Sequence, residues 1–174
     1  MSSLTMFIEI LRHTPPWVWG LLAALLALGY LQTRPRRVGL GRATLLPASM
    51  LAWSLWGVAA SFGGAAALAT WALGVLGAAV ATARLPAPAG SRWMAATRAF
   101  ELPGSWVPLA LIVALFAVKF GAGVGLALHP ALRDDLAFAT GASLAFGAFS
   151  GVFAGRALAL LQLARPGGCG VLAA

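Results

Sequence analysis

The sequence predicts an all-α fold, a polytopic transmembrane helical bundle of five spans, with its N-terminus outside and its C-terminus in the cytoplasm. Three observations predict it. Of the 174 residues, 61% are hydrophobic and only 9% are charged, against about 25% charged in an ordinary soluble domain. The apolar residues gather into runs of membrane-spanning length, of which about 20 residues suffice to cross a bilayer. The arginines collect in alternate loops between those runs, as topology requires of a membrane protein. Four acidic residues cannot cover a soluble core with charge. The net charge of +8 is spread between apolar runs, so it reads as topology and gives no nucleic-acid patch.

The first span, about residues 16–32, follows Pro15 and Pro16 and stops at Arg34-Pro35-Arg36-Arg37. Proline suits a helix's first turn, where no amide hydrogen is needed. The arginine block that follows is a stop-transfer pattern and does not resemble a signal-peptide cleavage site. The second and third spans, 44–62 and 65–82, are separated by Ser61-Phe62-Gly63-Gly64. Together they hold about 38 uncharged residues, nearly twice one crossing, so a hairpin of two helices is expected.

Residues 83–104 form a loop with Arg84, Arg92, Arg98, Glu101 and three prolines. Within it, Ser91 to Glu101 is open to three readings: a short helix on the membrane surface with Trp93, Thr97 and Phe100 on one face, a β-hairpin, or a plain loop. The fourth span, 105–128, closes at His129-Pro130. A turn through Arg133-Asp134-Asp135 leads to the fifth, 136–157, with Arg156 at the membrane edge and the helix free to continue through Leu163. Residues 1–165 make one transmembrane domain, and 166–174 are expected to be a flexible tail.

Charge parity supports the span count independently. One set of loops receives nine arginines, from Arg34 to Arg165; the other receives Arg12 and Arg133, together with Glu9, Asp134 and Asp135. Arginine-rich loops stay inside. That places the termini on opposite sides, which an odd number of spans requires. Trp17, Trp19 and Trp106 fall near span boundaries, where indole rings favour the interface. Leu4 to Arg12 have the pattern of an amphipathic turn on the outer surface.

Lys119 is the one basic residue left once the loops are assigned, and it lies inside a span. It lies roughly 20 Å beyond Trp106 and about 14 Å before Leu128. A buried lysine costs about 2.5–3.5 kcal/mol on insertion and normally faces protein or water. Two readings stand: a substrate, anion or proton site, or a lysine that snorkels to the outer headgroups. No Asp or Glu lies inside any span, which weakens a proton relay.

On the fifth span, Ser143, Gly147, Gly151 and Gly155 recur every four residues. Small residues at that spacing let another backbone approach closely, within the bundle or between copies. Gly121 and Gly125 on the fourth span offer a mating surface. Trp53 and Trp56, one turn apart, and Trp71 are candidates for an aromatic pocket; core packing is the plainer reading, with Ser54, Ser61 or Thr70 as indole partners. His13 and His129 lie at outer helix ends and are weak metal candidates, with no ligand spacing to support them. Cys169 stands alone and can form no intramolecular disulfide. No catalytic triad, phosphate loop or cofactor motif is present, so no cofactor is expected.

Three segments carry a family resemblance. They are His13-Thr14-Pro15-Pro16-Trp17-Val18-Trp19; Leu46-Pro47 with Met50 and Ser54-Leu55-Trp56-Gly57; and Pro103-Gly104-Ser105-Trp106-Val107-Pro108-Leu109 running to Phe116, Lys119 and Phe120. The chain resembles, over roughly residues 8 to 165, a group of small proteobacterial inner-membrane proteins that carry only a domain-of-unknown-function label. The resemblance implies a bacterial inner membrane and supports the spans. It assigns no activity, and so no role for any residue.

Three functions remain open at this level. The first is a non-enzymatic helix bundle that assembles with copies of itself or with a membrane partner, motivated by the glycine spacing. The second is a small transporter or channel for an anionic or amphipathic solute that uses Lys119. The third is a cofactor- or lipid-binding membrane enzyme.

Overall fold

A computed structural model describes residues 12 and 14–164. Among the described residues the chain forms five α-helices, α1 (Pro16–Leu31), α2 (Leu40–Phe62), α3 (Ala65–Ala83), α4 (Val107–Leu128) and α5 (Leu136–Leu163). Three short strands accompany them: β1 (Arg36–Gly39), β2 (Arg92–Met94) and β3 (Ala99–Leu102). Helices α2 to α5 are long and apolar enough to cross a membrane, whereas α1 is a shorter apolar helix of 16 residues, about 24 Å at 1.5 Å per residue. The expected tail, Cys169, His13 and the Leu4 to Arg12 turn lie outside the described residues, apart from Arg12 itself.

Local chemistry sets the helix ends. Pro16 occupies the first turn of α1, and Arg34-Pro35 then bars continuation, because proline disfavours helical backbone in the residue before it. Helix α2 starts at Leu40, four residues earlier than the apolar run suggests, and takes Arg42 into its first turn. It ends at Gly63, whose φ of 59° is left-handed; glycine adopts this conformation without steric cost, and it commonly closes a helix. Pro108 sits in the first turn of α4. Asp135 caps α5, its Oδ1 accepting a 2.7 Å hydrogen bond from the Phe138 amide. Helix α5 continues about two turns past Arg156 to Leu163.

The loop readings are settled by the sheet. Residues 92–102 form a β-hairpin and not a surface helix. Arg98, at φ 46°, turns the chain between its strands. The arginine block contributes an unexpected third strand, giving an antiparallel sheet of order β1-β3-β2, with Arg36 opposite Leu102 and Val38 opposite Phe100. The bundle itself is all-helical, as expected, and this small sheet is added to it at one end. The physical reason is backbone satisfaction: an extended segment after Pro35 needs partners for its amides and carbonyls, and the hairpin supplies them. Side chains alternate across the sheet, which puts Arg36, Val38, Phe100, Leu102 and Trp93 on one face. Phe100 is fully buried and its ring lies 4.7 Å from that of Trp93. Arg37 and Glu101 share the opposite face and form a 2.9 Å ion pair.

Strand pairing has a consequence for topology. β1 lies between α1 and α2, and β3 lies between α3 and α4, so both arginine-bearing linkers sit at the same end of the bundle. The Ser105 amide donating to the Gln32 carbonyl joins the same two linkers again.

The most intimate helix pair is α3 with α5, and the next are α2 with α5 and α1 with α4. The first depends on the small residues of α5. A Cβ on Gly147 would strike the Trp71 carbonyl, one on Gly151 the Val75 carbonyl, and one on Gly155 the Thr82 hydroxyl and Ala79 carbonyl. Without side chains the two backbones come close enough for dense dispersion contact, which drives helix association in lipid. The mating surface is thus α3 and not the fourth span. A Cβ on Gly121 would meet nothing, and Gly125 faces Leu132 and Phe138. Around this pair a small core forms from Val58, Ala67 and Phe146.

Candidate functional site

Between α1 and α4 the helices diverge after their contact at Gly29 and Leu109. This divergence leaves an open-sided cleft of about 730 Å³ that runs along both helices toward the end opposite the sheet. Its walls are almost wholly apolar, drawn from residues such as Trp17, Leu21 and Leu25 of α1, Met50 of α2, and Phe116 and Phe120 of α4. Phe116 and Phe120 are one turn apart and stack at 5.8 Å. Pockets of about 300–1,000 Å³ with apolar walls and few polar groups are the usual form of a small-molecule site.

Lys119 is the charged residue in that wall. Its ammonium lies 4.2 Å from the centroid of the buried Phe146 ring, a cation–π contact worth about 0.5–2 kcal/mol. It also faces Gly57 of α2, where an added Cβ would come within 3.9 Å of Nζ. On the far side of Lys119 is a second, smaller pocket of about 290 Å³, lined by Ser49, Ser54, Ser150 and Trp53 among others. Lysine therefore stands at a junction between an apolar cleft and a pocket edged with hydroxyls.

Those hydroxyls are partly committed. Ser54 Oγ accepts from Trp71 Nε1 at 3.1 Å, and Ser150 Oγ donates to the Phe146 carbonyl at 2.9 Å. An accepting hydroxyl keeps its own proton to donate, so Ser54 retains hydrogen-bonding capacity. Among the described residues Lys119 has no carboxylate partner: Glu101 pairs with Arg37 in the sheet, and Asp134 and Asp135 belong to the turn at the opposite end. An ammonium with a ring on one side and three donors to place is a binding group for an anion.

The other expected site residues are scattered. Trp53 and Trp56 are 79% and 74% exposed, while Trp71 points inward to Ser54. They do not converge, so the three-tryptophan pocket is corrected; Trp53 alone touches the smaller pocket. The reason is helical phase, because α2 turns its serine and its two indoles to different faces. His129 is exposed at the end of α4, and no group of three potential metal ligands occurs among the described residues. Ser143 is fully buried in α5 and its hydroxyl has no hydrogen-bond partner. Sequence alone did not show the participation of Gly57, Phe146, Ser150 and the α1 wall. The i, i+4 spacing of Phe116 and Phe120 around Lys119 was a visible signal.

Comparisons with known proteins add one relation. Neither the curated proteins nor the solved structures yield a match. A family model described as "Family of unknown function (DUF6622)" matches residues 2–169, nearly the whole chain, and the protein belongs to that family.

Proposed function

We propose that this protein is a small transporter for an anionic amphiphile, an acidic head on an apolar body, with Lys119 as the counter-charge for the head. The observation that carries the reading is the place of Lys119 as the charged residue in the wall of an apolar cleft of about 730 Å³, with its amine directed at Phe146 and not at a carboxylate. A path for a small hydrophilic anion calls for polar walls. These walls are apolar, which favours a ligand with its own hydrocarbon or aromatic body. In the pocket beyond Lys119, Ser54 keeps its own proton and gives the head one further donor.

The proposal includes five spans in a bacterial inner membrane, with the N-terminus outside and the sheet in the cytoplasm. The arginines of both paired linkers support that orientation. The cleft then opens toward the outer side. Assembly into homo-oligomers or with a membrane partner was motivated by the glycine stripe, and that stripe is filled by α3, so assembly loses its motivating observation.

Dodecanoate and its uncharged analogue dodecanol test the site. Wild-type protein in mild detergent is expected to bind dodecanoate about tenfold more tightly than dodecanol, the equivalent of one charge-assisted contact. Lys119→Met should erase that preference and Lys119→Arg should keep part of it. Equal binding of the two ligands by wild type would overturn the reading. Dodecanoate flux into proteoliposomes that is the same for wild type and Lys119→Met would remove the transport claim.

A further inference from the structure

At the arginine-rich end, remote from the cleft, Arg36 is in an unusual position. It opens β1 on the more buried face of the sheet, paired with Leu102. One terminal nitrogen, Nη2, donates to Gln32 Oε1 at 3.0 Å, which fixes the guanidinium against the end of α1. The other, Nη1, is buried and has no hydrogen-bond partner. Burial first, and then the like charge of the Arg156 guanidinium on α5, hold the Arg36 pKa below arginine's ordinary value. Arg156 is itself half-buried, and among the described residues it makes no ion pair.

Two guanidiniums that repel each other, with no counter-ion among the described residues, are costly in a half-buried place. Among the described residues no carboxylate is placed to relieve them. Glu101 is engaged by Arg37 on the outward face of the sheet, and Asp134 and Asp135 lie at the other end of the bundle. An orphaned buried N–H donor calls for an explanation, and a bound anion is one that also relieves the like charges. The fork of an arginine matches the tetrahedral oxygens of phosphate and can bond two at once. With the spans proposed above, the ends of α1 and α3 where the arginine linkers meet fall at the level of lipid headgroups.

We propose that Arg36 and Arg156 form a binding site for a phosphate group at the arginine-rich end of the bundle, with Gln32 as a positioning residue that aims the Arg36 fork. The phosphate is that of an anionic phospholipid headgroup or a free phosphate, and the two sources share the same contacts. The site is independent of Lys119 and does not rest on the transport reading.

The test is thermal unfolding of full-length protein in a neutral detergent, titrated separately with inorganic phosphate, short-chain phosphatidylglycerol and short-chain phosphatidylcholine. A ligand that binds the folded state raises the melting temperature with concentration. Wild type should be stabilised by phosphatidylglycerol. Added stabilisation by inorganic phosphate identifies the free anion as sufficient, whereas none assigns the site to the lipid headgroup. Arg36→Met and Arg156→Met should each weaken the apparent affinity by about tenfold or more, as loss of a charge-assisted contact requires. Without ligand, Arg36→Met should melt no lower than wild type, since it removes a buried, unpaired donor. That result separates a binding role from a structural one. Arg37→Met, on the opposite face, should bind as wild type does. Equal stabilisation by phosphatidylcholine, no stabilisation by any of the three, or an Arg36→Met titration indistinguishable from wild type would each overturn the proposal.

Discussion

Single residues decide how closely the backbones approach. Gly151 has the Val75 carbonyl and the Ala78 methyl where its own Cβ would stand. Gly151→Val should therefore lower stability by about 1–3 kcal/mol or more, the range for overpacking a tight interface. Gly121→Ala is the matched control, since a Cβ there meets open space, and its effect should stay within about 0.5 kcal/mol. Reversible unfolding in mixed micelles measures both. Equal losses would show that glycine is needed for backbone conformation and not for room. Asp135 supplies another test at this scale: its 2.7 Å bond to the Phe138 amide makes Asp135→Ala cost about 1 kcal/mol. Asp135 was read only as part of a polar turn, whereas Lys119 and Gly147 were legible from composition and spacing. Gly57 was not, because nothing in a sequence says which glycine of an apolar helix will face a charge from another helix.

Among the elements, the three-stranded sheet is the one that was least expected. Its stability should depend on the buried face. Phe100 is fully buried and packs on Trp93, so Phe100→Ala should destabilise the sheet by about 3–5 kcal/mol. Glu101→Gln breaks the exposed ion pair with Arg37 and should cost about 1 kcal/mol or less. Amide hydrogen exchange at residues 36–39 and 99–102 reads both changes. Protection that survives Phe100→Ala would mean that backbone pairing alone holds the sheet. The hairpin was one of three readings for residues 91–101, since Trp93 and Phe100 satisfy a surface-helix face about as well as a strand alternation. β1 could not be foreseen at all, because Arg-Arg-Val-Gly carries no strand pattern by itself and becomes a strand only when β3 offers its edge.

For the whole molecule, the pairing of β1 with β3 makes one end of the bundle basic and leaves Asp134 and Asp135 at the other. Thr97 is exposed in the hairpin turn, and Asp134 is exposed in the α4–α5 turn. Thr97→Cys and Asp134→Cys, each in a Cys169→Ser background, should react with a membrane-impermeant maleimide from opposite sides. In intact bacterial cells position 134 should label and position 97 should label only after lysis. The reverse pattern would invert the proposed orientation, and labelling of both from outside would break the span count.

The sequence by itself determined that the chain is a bundle of apolar helices, approximately where each begins and ends, which loops share a charge sign, and that one lysine is held among apolar residues. These follow from local properties: the length of an apolar run, a proline in a first turn, an arginine block, a four-residue glycine period. Only the tertiary structure decided which helices meet. The glycine stripe of α5 is equally suited to α3, α4 or another copy, and the choice of α3 came from the mutual fit of Gly74, Val75 and Ala79 with that groove. The cleft likewise exists because α1 touches α4 at Gly29 and then diverges, and Arg36 becomes an unpaired buried donor only once the sheet and α5 converge on it. A one-dimensional pattern fixes which face of a helix is small, apolar or charged. Its partner is selected by competition among all such faces in three dimensions, and that competition is settled by packing.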